Sequence, residues 1–262
     1  MKRLEATLNQ PEYGVTLRPD GASVAFLLIH GFCAAPDEVA SLGQFLAEKG
    51  ISSYAVRIAG HETSPEDLSK KSRQDWFKSV SDGLDVVKSW NPKHLFVAGF
   101  SMGGALTLQL ALSEDDIDGI VLISPAVRIF STAAKFLPLL KLFMKFKSVD
   151  LEKIQKTHGY DLQRTKYAKE PLSAYSEFLK MTKDVRDVMH KATIPALIMQ
   201  GTDDKTISPK NARIVYDGIS SDIKEIYMIE GAEHVIPCHP TRSIAYSHIL
   251  PFIERVIASA QE

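Results

Sequence analysis

Short, almost wholly apolar runs alternate along this chain with longer segments in which apolar residues recur every three or four positions. That alternation is the pattern of parallel βαβ units, whose strands are buried under helices on both faces. Residues 24–29 (VAFLLI) predict a buried strand, and residues 36–49 a helix with proline at its start and Gly50 at its stop. Residues 51–56 predict the next strand. Across residues 73–90, Trp76, Phe77, Val80, Leu84 and Val87 recur at helical spacing, and Asn91-Pro92 ends that helix. Strands at 95–98, 120–123 and 196–199 alternate with a small-residue helix at 102–112. Ser208-Pro209 reads as the N-cap and first turn of a helix running to about Gly218. Residues 223–229 predict the last strand, and two helical runs about Pro251 close the chain. The fold class is α/β, with a mostly parallel central sheet flanked by helices.

Between Ser124 and Ile194 the strand–helix rhythm stops, and about 70 residues of helical, lysine-rich sequence intervene. The expected division is therefore a core of residues 1–124 and 195–262, with residues 125–194 inserted as a helical cap. Part of this segment is strongly apolar, at Phe136, Leu137, Leu139, Leu140, Leu142, Phe143, Met144 and Phe146. It holds no acid between Ala126 and Val149, but it carries Arg128, Lys135, Lys141, Lys145 and Lys147. The simpler reading is a helix whose wide apolar face packs on the core while its lysines are solvated. The sharper one is a lid facing a greasy substrate or an anionic lipid surface.

Composition narrows the function classes. With 31 Lys and Arg against 32 Asp and Glu, no global field concentrates nucleic acid. The 262 residues are 45% hydrophobic and 24% charged, which excludes disordered and coiled-coil classes. Two cysteines, Cys33 and Cys238, are too few for a disulfide framework, and the first residues lack the apolar run of a signal peptide. A cytoplasmic location is the expectation. No apolar stretch approaches the roughly 18 residues of a membrane span, and the greasiest one, residues 136–146, is interrupted by Pro138, Lys141 and Lys145.

The strongest chemical signal is LFVAGFSMGGALTLQLAL, where a strand run passes through Gly99-Phe100-Ser101-Met102-Gly103 into a helix. A nucleophilic serine must be presented on a sharp strand-to-helix turn, and glycine two residues to either side lets the backbone pass without Cβ collisions. The turn also leaves the Met102 N–H at a helix N-terminus, where it suits a developing oxyanion. A serine hydroxyl needs a base, and catalytic groups of such sheets lie on loops after the strands. His234, in Gly231-Ala232-Glu233-His234 after the last strand, is the candidate, with His239 as the fallback. His94, His158, His190 and His248 read as structural. An acid should orient the imidazole; the loop Gln200-Gly201-Thr202-Asp203-Asp204 offers two, and spacing from Gly201 to Ile207 favours Asp204 over Asp203. The second oxyanion donor should follow the 24–29 strand at His30-Gly31-Phe32, and the Phe32 N–H is the candidate. His30 itself ends a buried strand and reads as a brace for that loop. Cys33 and Cys238 read as small buried hydrophobes near the same face.

Taken together, these residues resemble the α/β-hydrolases, and within them the bacterial carboxylesterase and monoacylglycerol lipase group. The resemblance runs over nearly the whole chain, through HGF at His30, RIAGHETSPEDL at Arg57, DWF at Asp75, GFSMGG at Gly99, DVRD at Asp184, QGTDDKTISP at Gln200 and GAEHVI at Gly231. It implies Ser101 as nucleophile, Asp204 as acid, His234 as base, and the amides of Phe32 and Met102 as oxyanion hole. It implies an ester or monoacylglycerol substrate and no metal or cofactor. The family's GHG tripeptide appears here as Gly60-His61-Glu62. The competing reading from another class is a ligand-binding protein of the same fold without hydrolysis.

Overall fold

The computed structural model describes residues 14–130 and 137–260. The expectations resting on residues 1–13, Lys135 and Phe136 lie outside them. In chain order the elements are β1 (Gly14–Leu17), β2 (Val24–Ile29), α1 (Ala40–Glu48), β3 (Ser52–Val56), α2 (Pro65–Leu68), α3 (Arg73–Lys88), β4 (His94–Phe100), α4 (Met102–Ala111) and β5 (Gly119–Ile123). Next come α5 (Leu137–Phe143), β6 (Phe146–Ser148), α6 (Leu151–Thr157), β7 (Lys169–Pro171) and α7 (Leu172–Val188). The chain ends with β8 (Ala196–Gly201), α8 (Lys210–Gly218), β9 (Lys224–Ile229), α9 (Arg242–Tyr246) and α10 (Ile249–Ser259).

Seven strands form one sheet in the order β1-β3-β2-β4-β5-β8-β9. Every pairing in it is parallel except β1 with β3. Because side chains alternate across a strand, Ala25, Leu27 and Ile29 of β2 enter one core with α3, α4, α7 and α8. Phe26 and Leu28 enter the other, with α1 and α10. The chain runs from β2 outward to β3 and then returns to the far side of β2 as β4, so the strand order reverses between β2 and β4. Open α/β sheets bind ligands at the carboxyl ends flanking such a switch point.

Local chemistry sets the element ends. Ser72 and Asp75 form a reciprocal capping box at the start of α3: Asp75 Oδ2 accepts from the Ser72 N–H at 2.8 Å and Ser72 Oγ from the Asp75 N–H at 3.3 Å. Asn91, with φ 52°, turns the chain out of that helix before Pro92. The predicted 36–49 helix is a 3-10 turn at Pro36–Val39 followed by α1. At α8 the expected Ser208 cap is not formed by its side chain; Pro209 precedes a helix beginning at Lys210, and the Asn211 N–H donates to the Ser208 carbonyl at 2.9 Å. Pro251 does not break the final helix. It is the third residue of α10, where the N–H it lacks has no helical acceptor, and the break falls after Tyr246.

The stretch between β5 and β8 departs from an all-helical reading, since β6 and β7 pair as a two-stranded antiparallel ribbon. The reading of a packed apolar face around Leu139 is also corrected. Leu137 is buried, but Leu139, Leu140 and Met144 are exposed and Phe143 is 80% exposed. A seven-residue helix turns only about twice, and among its described side chains only that of Leu137 reaches the core.

Candidate active site

Ser101 stands between β4 and α4 with φ 55° and ψ −113°, a conformation that costs an L residue of order 1–3 kcal/mol and persists only where the surroundings impose it. The surroundings are specific. The Ser101 N–H donates to the Ile123 carbonyl at 2.9 Å, and the Ala126 N–H donates to the Ser101 carbonyl at 3.1 Å, so the turn is stitched to the end of β5. A Cβ on Gly99 would meet the Gly103 carbonyl oxygen and Thr107 Oγ1, both at 2.2 Å. On Gly103 it would meet the Ile29 carbonyl oxygen at 2.2 Å. The two glycines therefore let α4 press against both β4 and β2.

The structure brings Ser101, His234 and Asp204 together, all three buried. Ser101 Oγ lies 3.0 Å from His234 Nε2, and His234 Nδ1 lies 2.6 Å from Asp204 Oδ2. An ionised carboxylate only accepts, so Nδ1–H donates to Asp204 and Nε2 is left to accept the serine proton. Asp204 Oδ2 also accepts from Gln200 Nε2 at 2.8 Å, while Oδ1 accepts from the N–H groups of Thr206 and Ile207 at 2.9 and 2.8 Å. Burial pushes the Asp204 carboxyl upward. The imidazole of His234 outweighs it, with help from the Ile207 amide and Gln200, and holds the group below the ordinary aspartate value.

The loops bearing the acid and the histidine are laced together. The N–H groups of Thr202 and Asp203 donate to the carbonyls of Ile229 and Ala232, each at 3.1 Å, and the Gly231 N–H donates to Thr202 Oγ1 at 2.9 Å. Gly201 permits this approach, because a Cβ there would stand 2.2 Å from the Ala232 carbonyl oxygen. Asp203 itself points outward to Thr202 Oγ1 at 3.3 Å.

Phe32 follows β2 across the sheet's switch point from Ser101. Its N–H has no acceptor among the described residues, and the Met102 N–H is the first of α4, where no carbonyl four residues back can take it. The Phe32 ring stacks on Phe178 of α7 at 5.4 Å and meets His61 and Trp76 edge-on at 6.2 and 6.1 Å. His30 is fully buried; its Nδ1–H donates to the Gly31 carbonyl at 2.8 Å and its Nε2 accepts from the Ile58 N–H at 3.3 Å, which is the bracing role.

The other candidates lie elsewhere. His239 Nδ1 bonds Thr241 Oγ1 at 2.8 Å, His94 faces Asp118 at 3.4 Å and His248 stacks on Tyr227 at 3.7 Å. His190 is exposed, and His158 lies 3.0 Å from Glu233, next to His234 in sequence. Cys33 and Cys238 are free and buried, and burial pushes the Cys33 thiol far up and that of Cys238 to about 12. Glu62 is exposed with φ 56°, a conformation that suits glycine and accounts for the GHG pattern at this point. Sequence reading missed Gln200 and Ser124. Ser124 Oγ donates to the His234 carbonyl at 3.0 Å. Both are lone polar residues ending otherwise apolar strand runs, and that was the available signal.

Residues 22–240 match the profile of a family described as "Serine aminopeptidase, S33". A carboxylesterase of Bacillus subtilis (strain 168) is 27% identical over 239 residues, covering 90% of this chain and 94% of its own. A thermostable monoacylglycerol lipase of Bacillus sp. (strain H-257) is 32% identical over 216 residues, covering 82% and 84%. Among solved structures, one described as a metagenome-derived lipolytic enzyme superposes with a TM-score of 0.83 at 24% identity, covering 94% of this chain and 98% of that one. A soluble variant of monoglyceride lipase from Saccharomyces cerevisiae follows with a TM-score of 0.78 at 18% identity and 97% coverage of each chain. These two carry the fold alone, which is that of the α/β-hydrolases.

Proposed function

This chain belongs to the serine aminopeptidase S33 family and is an ester hydrolase; from that premise we propose that it cleaves carboxylic esters through Ser101, His234 and Asp204. The observation that carries the reading is the unbroken line of hydrogen bonds from Ser101 Oγ through the imidazole to Asp204. As Ser101 Oγ attacks the ester carbonyl, His234 Nε2 takes its proton and Asp204 stabilises the imidazolium. The carbonyl oxygen becomes an oxyanion facing the amides of Phe32 and Met102. Each such donor is worth on the order of 10² to 10³ in kcat. The imidazolium then protonates the departing alkoxide, leaving an acyl group on Ser101. Water, deprotonated by the same imidazole, releases the acid.

Treatment with a fluorophosphonate tests the assignment. The expected result is a single adduct on Ser101 with loss of activity, and an unmodified Ser101 would instead favour a ligand-binding protein of this fold. The family description names a peptidase, whereas both bacterial relatives carry ester-cleaving names. Esters therefore come first, and an aminoacyl p-nitroanilide serves as the counter-substrate.

A second reading, a monoacylglycerol lipase, rests on a different observation. We read residues 125–194 as a cap, because α7 stacks on Phe32 and residues 164–167 bind the loop that follows it. On this segment the exposed Leu139, Leu140, Phe143 and Met144 accompany Lys141, Lys145 and Lys147. A greasy, basic surface fits a substrate drawn from anionic lipid aggregates. Among the described residues no helix is long and apolar enough to cross a membrane. Two free buried cysteines suit a reducing compartment, and cytoplasmic location belongs to this reading. Rates on p-nitrophenyl esters of increasing acyl length and on monoacylglycerols separate the two substrates. A preference for chains of about four carbons or fewer, without glyceride turnover, would exclude the lipase.

A further inference from the structure

The loop bearing Phe32 is fastened from behind by an ion pair whose halves lie far apart in sequence. Glu38, in the 3-10 turn, is only 2% exposed. Its Oε2 accepts from the Gly31 N–H at 2.8 Å, and its Oε1 accepts from Arg164, whose side chain is 10% exposed. The residues after Arg164 continue along the same loop. The Thr165 N–H donates to Asp37 Oδ2 at 2.8 Å, Lys166 Nζ to the Phe32 carbonyl at 3.2 Å, and the Tyr167 N–H to the Cys33 carbonyl at 2.9 Å. Gly31 makes room for the carboxylate, since a Cβ there would lie 2.9 Å from Glu38 Oε2 and 3.2 Å from the Phe100 ring.

Stability gives little reason for such a pair, because a buried ion pair can often be replaced by apolar residues of similar volume at no cost. A leucine at position 38, however, could not accept the Gly31 N–H. The Phe32 N–H shares a rigid peptide plane with the Gly31 carbonyl. That carbonyl is held by His30 Nδ1, and the preceding peptide is held at its N–H by Glu38. With both peptides fastened, the direction of the Phe32 N–H is set. We infer that Glu38 and Arg164 are positioning residues for the Phe32 amide, so that the oxyanion site takes its geometry from the segment between β5 and β8. The inference rests on the serine mechanism proposed above.

The test compares wild type with Arg164→Ala, Arg164→Lys and Glu38→Gln. Active sites are titrated to completion with a fluorophosphonate, and kcat per titrated site, KM for p-nitrophenyl butyrate and affinity for a trifluoromethyl ketone are measured. For Arg164→Ala we expect kcat per site to fall about 10- to 100-fold, as for a catalytic group displaced by up to an ångström. KM should move less than about threefold, and ketone affinity should fall with kcat, because only the tetrahedral state uses the displaced amide. Arg164→Lys restores the charge and should recover most of the loss. Glu38→Gln keeps the shape and an acceptor for Gly31 but leaves Arg164 without its counter-charge, and should fall between. If Arg164→Ala does not fold, the two conservative variants decide. Values of kcat per site within about twofold of wild type in every folded variant, even with lowered thermal midpoints, would reduce the pair to a structural role and overturn the inference. Failure of wild type itself to label at Ser101 is a separate outcome, which removes the proposed mechanism and this inference with it.

Discussion

Glycine is needed at positions 99 and 103 for a different reason than at position 50. Gly50 has φ 74°, but a Cβ added there would meet nothing within 4 Å, so Gly50→Ala should cost only the left-handed conformation, about 1–2 kcal/mol. Gly99→Ala and Gly103→Ala drive a methyl into backbone oxygens at 2.2 Å. They should cost more, beyond the usual 1–3 kcal/mol of overpacking, and should lower kcat because relief must come from moving the turn that holds Ser101. Urea titrations with kcat measured alongside check this, and unimpaired kcat in Gly103→Ala would refute it. Asp204→Asn keeps the shape but removes the acceptor that selects the Nδ1–H tautomer of His234. A loss on the order of 10⁴ in kcat at neutral pH is expected, with Ser101 still in place; a loss below about tenfold would point to another acid. Much of this site was legible because its demands are local: a strand-to-helix turn with paired glycines, and polar loops following apolar runs. Glu38 was not. Its partner Arg164 lies 126 positions away, and an acid in the first turn of a helix already has an ordinary explanation.

Elements were legible where hydrophobic period and length agree, as in α3 and the six parallel strands. They were hidden where tertiary pairing does the work. β1 has only four residues, all half-buried, and exists because β3 offers it an open edge. β6 and β7 have three residues each and define one another. The start of α8 shows how such a site is held. The fully buried Asn211 accepts from the N–H groups of Val127 and Arg128 at 3.1 and 2.7 Å, and its Nδ2 donates to the carbonyls of Arg128 and Ser208 at 3.0 and 3.1 Å. One side chain thus ties α8 to the segment after β5, whose Ala126 N–H holds the Ser101 carbonyl. Asn211→Leu strands the Val127 and Arg128 backbone groups, at about 1–3 kcal/mol for a buried group left unpaired. We expect the thermal midpoint to drop by about 4–10 °C in a chain of this size; an unchanged midpoint would mean that water replaces the amide.

At the scale of the whole molecule, the site exists because four parallel strands end on one side. Ile29 of β2 is in register with Gly99 of β4, so the Phe32 loop and Ser101 leave adjacent strands at the point where the strand order reverses. β8 and β9, at the sheet's other end, deliver Asp204 and His234. The order of the runs placed each candidate on a loop after a strand; the strand order itself, with β1 at its edge, was not readable from it. The structure adds a cost that no motif displayed. His30 and His61 are both fully buried beneath the Phe32 loop with ring centroids 5.1 Å apart. Burial holds both below the ordinary histidine value, and for His61 the neighbouring His30 lowers it further. Protonating His30 would set a second donor against the Ile58 N–H, and His61 Nε2 has no partner among the described residues. The unfolded chain takes up these two protons near pH 6.5 while the folded chain does not, so stability is complete above that pH and falls as pH drops toward the folded values. Within that window the slope approaches about 1.4 kcal/mol per pH unit for each histidine that stays neutral in the folded chain. The carboxylates held low, such as Asp204 and Asp67, lose their contribution only further down, below about pH 4. Urea midpoints should therefore fall between pH 6.5 and 5.5, and His61→Leu, which removes the histidine held further down, should remove at least half of that fall. A midpoint that stays level across this interval, or a His61→Leu slope equal to wild type, would show that the pair does not govern acid stability.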